Sequence, residues 1–216
     1  MLAYGMVLKL LRAVELALLF LLLPLLYVLD ILAVPVLLML ALFTVICCVI
    51  LLRDPAFDRK RLCNSGGFRA RLPVMLRGFA VNAVVITLAV IVFDPDLLFA
   101  FLRRAPAIWA IVMVFYPLVS VYPQELVYRA FFFHRYRILF PKRWMMMAAS
   151  TAVFGYTHIV FENPLAVVMT LIGGWLFART YERSRSVLAC TVEHALYGCF
   201  IFTIGLGLHF YHGAVR

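Results

Sequence analysis

A few ionisable side chains of this sequence fall inside long apolar stretches, where a charge is costly to hold and its retention is a first sign of function. Glu125 and Arg129 are four apart, on one face of a helix, at the spacing of an ion pair. His158 ends the run Phe154-Gly155-Tyr156-Thr157-His158, with Glu162 four residues on, and His194 directly follows Glu193. Each alone reads as structure: a self-neutralised pair, or a histidine satisfied by a hydrogen bond. A carboxylate and two imidazoles meeting from three helices would instead activate water as a general base and stabilise an oxyanion. Glu125, His158 and His194 would equally suit a divalent metal such as zinc. The sequence has no HExxH or other local ligand pair, so no metal or other cofactor is expected.

The elements that must carry these residues follow from composition. The chain has 216 residues, 66% of them hydrophobic and 14% charged, against about 25% charge in soluble domains. Mean hydropathy is +1.04, and the apolar residues are spread over the whole length, which excludes a soluble domain on a single anchor. The expected fold is all-α, a polytopic bundle of about seven transmembrane helices near residues 13–29, 32–52, 74–93, 106–133, 144–160, 165–178 and 187–208. The first resembles a signal peptide but has no small-residue cleavage site after it, and is expected to remain as an anchor. Residues 1–105 then supply N-terminal helices and a basic loop, 106–208 the motif-bearing core, and 209–216 a tail.

The net charge of +10 raises nucleic acid as a partner, but its position argues otherwise. Sixteen Lys and Arg fall on one side of the seven spans and three, Arg103, Arg104 and Arg216, on the other. That asymmetry is the positive-inside pattern, with the N-terminus cytoplasmic and the lipid bilayer as the partner. Arg outnumbers Lys 17 to 3, which points to a bacterial inner membrane. Cys47, Cys48, Cys190 and Cys199 read as packing residues within helices, and Cys63 as a reduced thiol in the basic loop. Pro123 should kink the fourth span. Gly173 with Gly174, and Gly205 with Gly207, should let helices approach closely. The Asn64-Ser65-Gly66-Gly67 turn reads as the most flexible segment. Glu15 should pair with Arg12, and His134, His209 and His212 read as interfacial.

Three stretches in order, Pro123-Gln124-Glu125-Leu126-Val127-Tyr128-Arg129-Ala130, Phe154-xxx-His158 and His194, resemble the three signature motifs of the CPBP family of CAAX-processing and bacteriocin-processing intramembrane proteases. The resemblance covers about residues 106–208. It implies an intramembrane endopeptidase with a cavity between the fourth, fifth and seventh spans. Water activated by a Glu/His constellation would attack a peptide bond of a membrane-embedded or membrane-proximal protein. Catalytic residues carried over are Gln124, Glu125, Arg129, His158 and His194. Both a metal-dependent and a glutamate-dependent reading attach to the family.

Two positions depart from the pattern. The first motif usually opens with two adjacent glutamates, and Gln124 stands in the first place; the third usually has asparagine four residues after histidine, where this chain has Gly198. An amide positions water but cannot take its proton. Glu125 lies about 100° further round the helix, and pairing with Arg129 favours its ionised, less basic form. His158 oriented by Glu162, or Glu193 beside His194, are the other candidate bases. At about 1.5 Å per residue, these spans would leave Glu125 and His158 about 10 Å apart along the membrane normal unless a tilt or the Pro123 kink closes the gap. The alternative is a catalytically silent relative acting as a membrane scaffold or as an immunity or protective factor. A small transporter would also explain an intramembrane ion pair, but no inverted repeat is present.

Overall fold

The structure, a computed structural model, describes residues 2–210; His212, Arg216 and most of the expected tail lie outside it. All regular elements among the described residues are helical. Helix α1 covers residues 2–28, α2 Val36–Arg53, α3 Ser65–Phe93, α4 Ala100–Arg104, α5 Pro106–Arg135, α6 Arg143–Phe161, α7 Pro164–Ser184 and α8 Val187–Ile204. Six helices among the described residues are long and apolar enough to cross a membrane: α2, α3 with the short turn before it, and α5 to α8. The protein is a polytopic helical membrane protein. The expected first span, 13–29, falls within α1 but for its last residue, and α1 carries a π-helical stretch at Ala17–Leu22.

Outward-facing residues confirm what surrounds the bundle. Leu42, Val45, Val81, Val92, Ile108 and Ile172 are all more than half exposed, which suits hydrocarbon and not water. The interior belongs to α5, whose residues Leu126 to Phe133 are almost wholly buried against α2, α6, α7 and α8. Helices α6 and α7 pack most closely where side chains are smallest: a Cβ on Gly174 would press on Phe154, and one on Gly155 would overlap Leu171. Close approach of this kind is what small residues contribute in lipid, where no hydrophobic effect drives helices together.

Several sequence expectations change at the helix ends. The 64–67 turn is a built helix start: the Asn64 side chain accepts from Gly67 N at 3.0 Å and donates to the Ser184 carbonyl at 3.0 Å, and Gly67 sits against the Ser184 backbone. Helix α3 thus begins nine residues before the expected span. Helix α7 runs on past Arg179 and Arg183 to Ser184, beyond the span expected to end at residue 178. His134 belongs to the last turn of α5, is 9% exposed, and meets Asp54 at 2.7 Å. That imidazole holds the Asp54 carboxyl below the usual carboxylate range. His209 meets Asn163 at 2.9 Å. The segments were misread because charged residues continue these helices once their stems have apolar surface to lie on. All five cysteines are free, with Cys47 and Cys190 buried and Cys63 exposed.

Glu15 makes the expected bond to Arg12, at 2.8 Å, and one that spacing could not reveal. Arg135 from the end of α5 donates to both Glu15 oxygens at 2.8 Å, and Tyr136 donates to the same carboxylate at 3.2 Å. This fork ties α1 to the core, since a planar guanidinium matches a carboxylate with two parallel bonds. Arg135→Lys should lower the thermal midpoint in detergent by the equivalent of about 1 kcal/mol, and Glu15→Gln by a similar amount.

Candidate active site

Helix α5 is not a regular α-helix where it enters the core. Its π-helical stretches, Pro117–Val121 and Leu126–Phe131, flank the short α-helical turn Tyr122–Glu125 that contains Pro123. π-helical turns re-phase every side chain that follows and recur at functional sites. Here they turn Glu125 and Arg129 fully inward, both 0% exposed.

The two form the expected pair: Arg129 Nε donates to Glu125 Oε2 at 3.1 Å. Arg129 Nη1 also donates to Ser150 Oγ, and Ser150 in turn donates to the Tyr128 carbonyl at 2.8 Å. The guanidinium carbon lies 5.1 Å from the centre of the Phe154 ring, a cation–π contact. Glu125 Oε1 meets His194 Nδ1 at 2.8 Å. An ionised carboxylate only accepts, so His194 Nδ1 carries a proton and Nε2 faces Tyr116 Oη, at 3.2 Å. The His194 ring stacks on Phe177, centroids 4.5 Å apart and planes 15° apart.

His158 follows a different local rule. Its Nδ1 donates to the Phe154 carbonyl, four residues back, at 2.6 Å. A carbonyl only accepts, so the proton is on Nδ1 and Nε2 keeps its lone pair. The ring centroids of His158 and His194 are 4.6 and 5.7 Å from that of Phe154, so one phenyl ring supports both imidazoles and the guanidinium. The separation expected between Glu125 and His158 is thereby bridged through His194 and Phe154.

His158, His194, Tyr116, Gln124, Ser120, Thr157, Asn82, Tyr197, Tyr128 and Thr170 are the polar residues lining a cavity of about 610 Å³ whose other walls are apolar. Gln124 donates to Ser120 Oγ at 2.8 Å, and Asn82 donates to Tyr197 Oη at 2.8 Å. Glu125, Arg129 and Glu193 are not among the lining residues. Glu193 is buried, with Oε2 lacking a hydrogen-bond partner. Glu162 ends the turn after His158 in the left-handed conformation, φ 52°. The residues named from sequence therefore divide: Gln124, His158 and His194 at the cavity, Glu125 and Arg129 behind it.

Residues 104–200 match the family model for type II CAAX prenyl endopeptidases, Rce1-like. This part of the chain is similar to that family. The Rce1-like segment takes in α5 to α7 and most of α8, with all three motifs, and the family assignment is that of an intramembrane protease. No curated protein and no solved structure matches the chain.

The donor set of the Rce1-like segment does not suit a metal. Both Glu125 oxygens are engaged, by Arg129 and His194, both His194 nitrogens are in hydrogen bonds, and a guanidinium stands beside them. Among the described residues no three His, Cys, Asp or Glu side chains converge as ligands. Sequence reasoning missed Tyr116, Ser120 and Ser150 altogether. Gly198, one turn beyond His194, was the available signal for Tyr116, because a missing side chain leaves room for a neighbour's.

A charge buried at 0% exposure and stripped of its partner costs roughly 3–5 kcal/mol. Arg129→Leu alone should therefore unfold at markedly lower temperature than Glu125→Leu/Arg129→Leu, which strands no charge. Thermal melts of the three proteins in one detergent check the order.

Proposed function

We propose that the chain is an intramembrane endopeptidase in which His158 Nε2 is the base that takes a proton from the attacking water. The observation that carries this reading is the 2.6 Å bond from His158 Nδ1 to the Phe154 carbonyl, which leaves a lone pair on the other nitrogen of a cavity-lining ring. Orientation by a fixed acceptor is how an imidazole is prepared as a general base in hydrolases. Gln124, in the same wall, holds the water without accepting its proton. Glu125 keeps His194 in one tautomer and one orientation, and Arg129 holds the other Glu125 oxygen.

The substrate is a membrane-embedded or membrane-proximal protein presenting an apolar segment, peptide or lipid-modified. In support, Leu37, Val85, Ile111, Val119 and Ile172 both line the cavity and are exposed on the bundle's outer surface. Its mouth is thus apolar, as entry from the bilayer requires. We place the protein in a bacterial inner membrane, N-terminus in the cytoplasm, on the Lys/Arg asymmetry and the preference for Arg.

A second reading rests on one observation: the first-motif side chain at the cavity is the amide Gln124, while the neighbouring carboxylate points to Arg129 and His194. On that reading the protein binds such segments without cutting them, as a scaffold or protective factor.

The test uses protein in liposomes and quenched-fluorescence peptides carrying one apolar segment of about 20 residues. Cleavage by the native protein that falls at least about 100-fold in His158→Ala supports the endopeptidase. Cleavage unchanged by His158→Ala removes the histidine base. An inert native protein that gains cleavage as Gln124→Glu establishes the silent relative. The proposed step uses no metal, so zinc bound at one per chain after purification, with activity lost on chelation, overturns it.

A further inference from the structure

The bond network behind the cavity does not stop at His194. Its Nε2 meets Tyr116 Oη at 3.2 Å, and Tyr116 itself lines the cavity. The chain Arg129, Glu125, His194, Tyr116 therefore runs from a fully buried ion pair to a phenolic hydroxyl at the reaction space. Each link is held from outside. Phe177 stacks on the His194 ring, and Phe202 packs edge-on against Tyr116 with centroids 5.2 Å apart. Two bonds further along the same antiparallel pair of helices, Trp109 Nε1 to Thr203 Oγ1 at 3.0 Å and Cys199 Sγ to the Met113 carbonyl at 4.0 Å, fix the register of α5 against α8.

Room for the phenol is made at one residue. A Cβ built on Gly198 would overlap Oη, Cζ and Cε1 of Tyr116. Any other residue at 198 would displace the ring, so Gly198 and Tyr116 form a complementary pair across α8 and α5. Tyr116 lies outside every motif by which the site was read.

We propose that Tyr116 is a catalytic residue: its hydroxyl donates to the oxygen of the tetrahedral intermediate, and His194 positions it. This rests on the endopeptidase reading. When the water oxygen bonds to the carbonyl carbon, its proton passes to His158 Nε2 and the carbonyl π pair moves to oxygen. That oxyanion accepts from Tyr116 Oη–H. His194 Nε2, fixed in place by the Glu125 bond to Nδ1, holds the phenol at 3.2 Å, and the Oη–H turns from that nitrogen to the oxyanion as its charge develops. Collapse restores the carbonyl and breaks the C–N bond, and the leaving nitrogen takes the proton from His158. A donor already held beside the place where charge develops stabilises it with only a rotation of one hydroxyl.

The experiment compares native protein, Tyr116→Phe, Gly198→Ala and the double variant. The probes are the quenched peptides above and a phosphinic-peptide isostere, whose anionic tetrahedral group mimics the intermediate. Tyr116→Phe, which removes only the hydroxyl, should lower kcat about 100-fold with KM little changed, and weaken isostere binding by a similar factor while leaving the parent peptide's Kd alone. Gly198→Ala, by moving the ring, should give much of that loss by itself and little more on top of Tyr116→Phe. Native kcat in Tyr116→Phe, a loss confined to KM, or equal weakening of both ligands overturns the role of Tyr116 alone. A native protein that neither cleaves the peptides nor prefers the isostere overturns the endopeptidase reading, and this inference with it.

Discussion

The Glu125–Arg129 ion pair is the constraint around which this site is built. Two ions in an apolar bundle recover their lost hydration only from each other and from polar neighbours, and the available neighbours are few. Glu125 uses one oxygen on Arg129 and the other on His194; Arg129 draws on Ser150 and on the face of Phe154. Satisfying the pair thereby fixes the tautomer of His194, the position of α6 at Ser150 and the ring that carries both imidazoles. Three helices, α5, α6 and α8, are held in register by the needs of two charges.

That arrangement separates two kinds of work. The ions lie behind the cavity wall and set geometry, while neutral groups, His158, Gln124 and Tyr116, face the space where a substrate would lie. Placing charge out of reach of the cavity keeps its mouth apolar, which a substrate arriving through hydrocarbon requires. Where the motifs that this sequence resembles usually carry a carboxylate, the amide of Gln124 bonds to Ser120. On the endopeptidase reading proposed above, proton acceptance falls to His158, whose second nitrogen is left free by a bond within its own helix turn.

Helix α5 shows why the backbone is part of this. A regular helix through residues 106–135 would carry Glu125 and Arg129 on one stripe with no freedom to re-aim it. The π-helical stretches on either side of Tyr122–Glu125 change the phase twice within the core. Such irregular backbone survives in a membrane protein only where protein surrounds it, and Val121 to Phe133 are correspondingly the most enclosed part of α5.

The sequence by itself determined whatever is local or compositional. Apolar length named the class of protein and most of the helices; i, i+4 spacing named the Glu125–Arg129 pair; the order of three motifs named the family. Tertiary structure decided the direction of each side chain and the contacts between helices. Gln124 and Glu125 differ by about 100° on a regular helix, and π-helical turns alter that angle without a mark in the sequence, so which of them faces the cavity was not legible. The Arg135–Glu15 fork spans 120 residues and the Tyr116–His194 bond 78, separations at which no periodicity carries information. Gly198 was visible as a departure from a pattern, but its meaning required seeing the phenol that fills its place: a packing constraint belongs to two surfaces, and a sequence displays them one at a time.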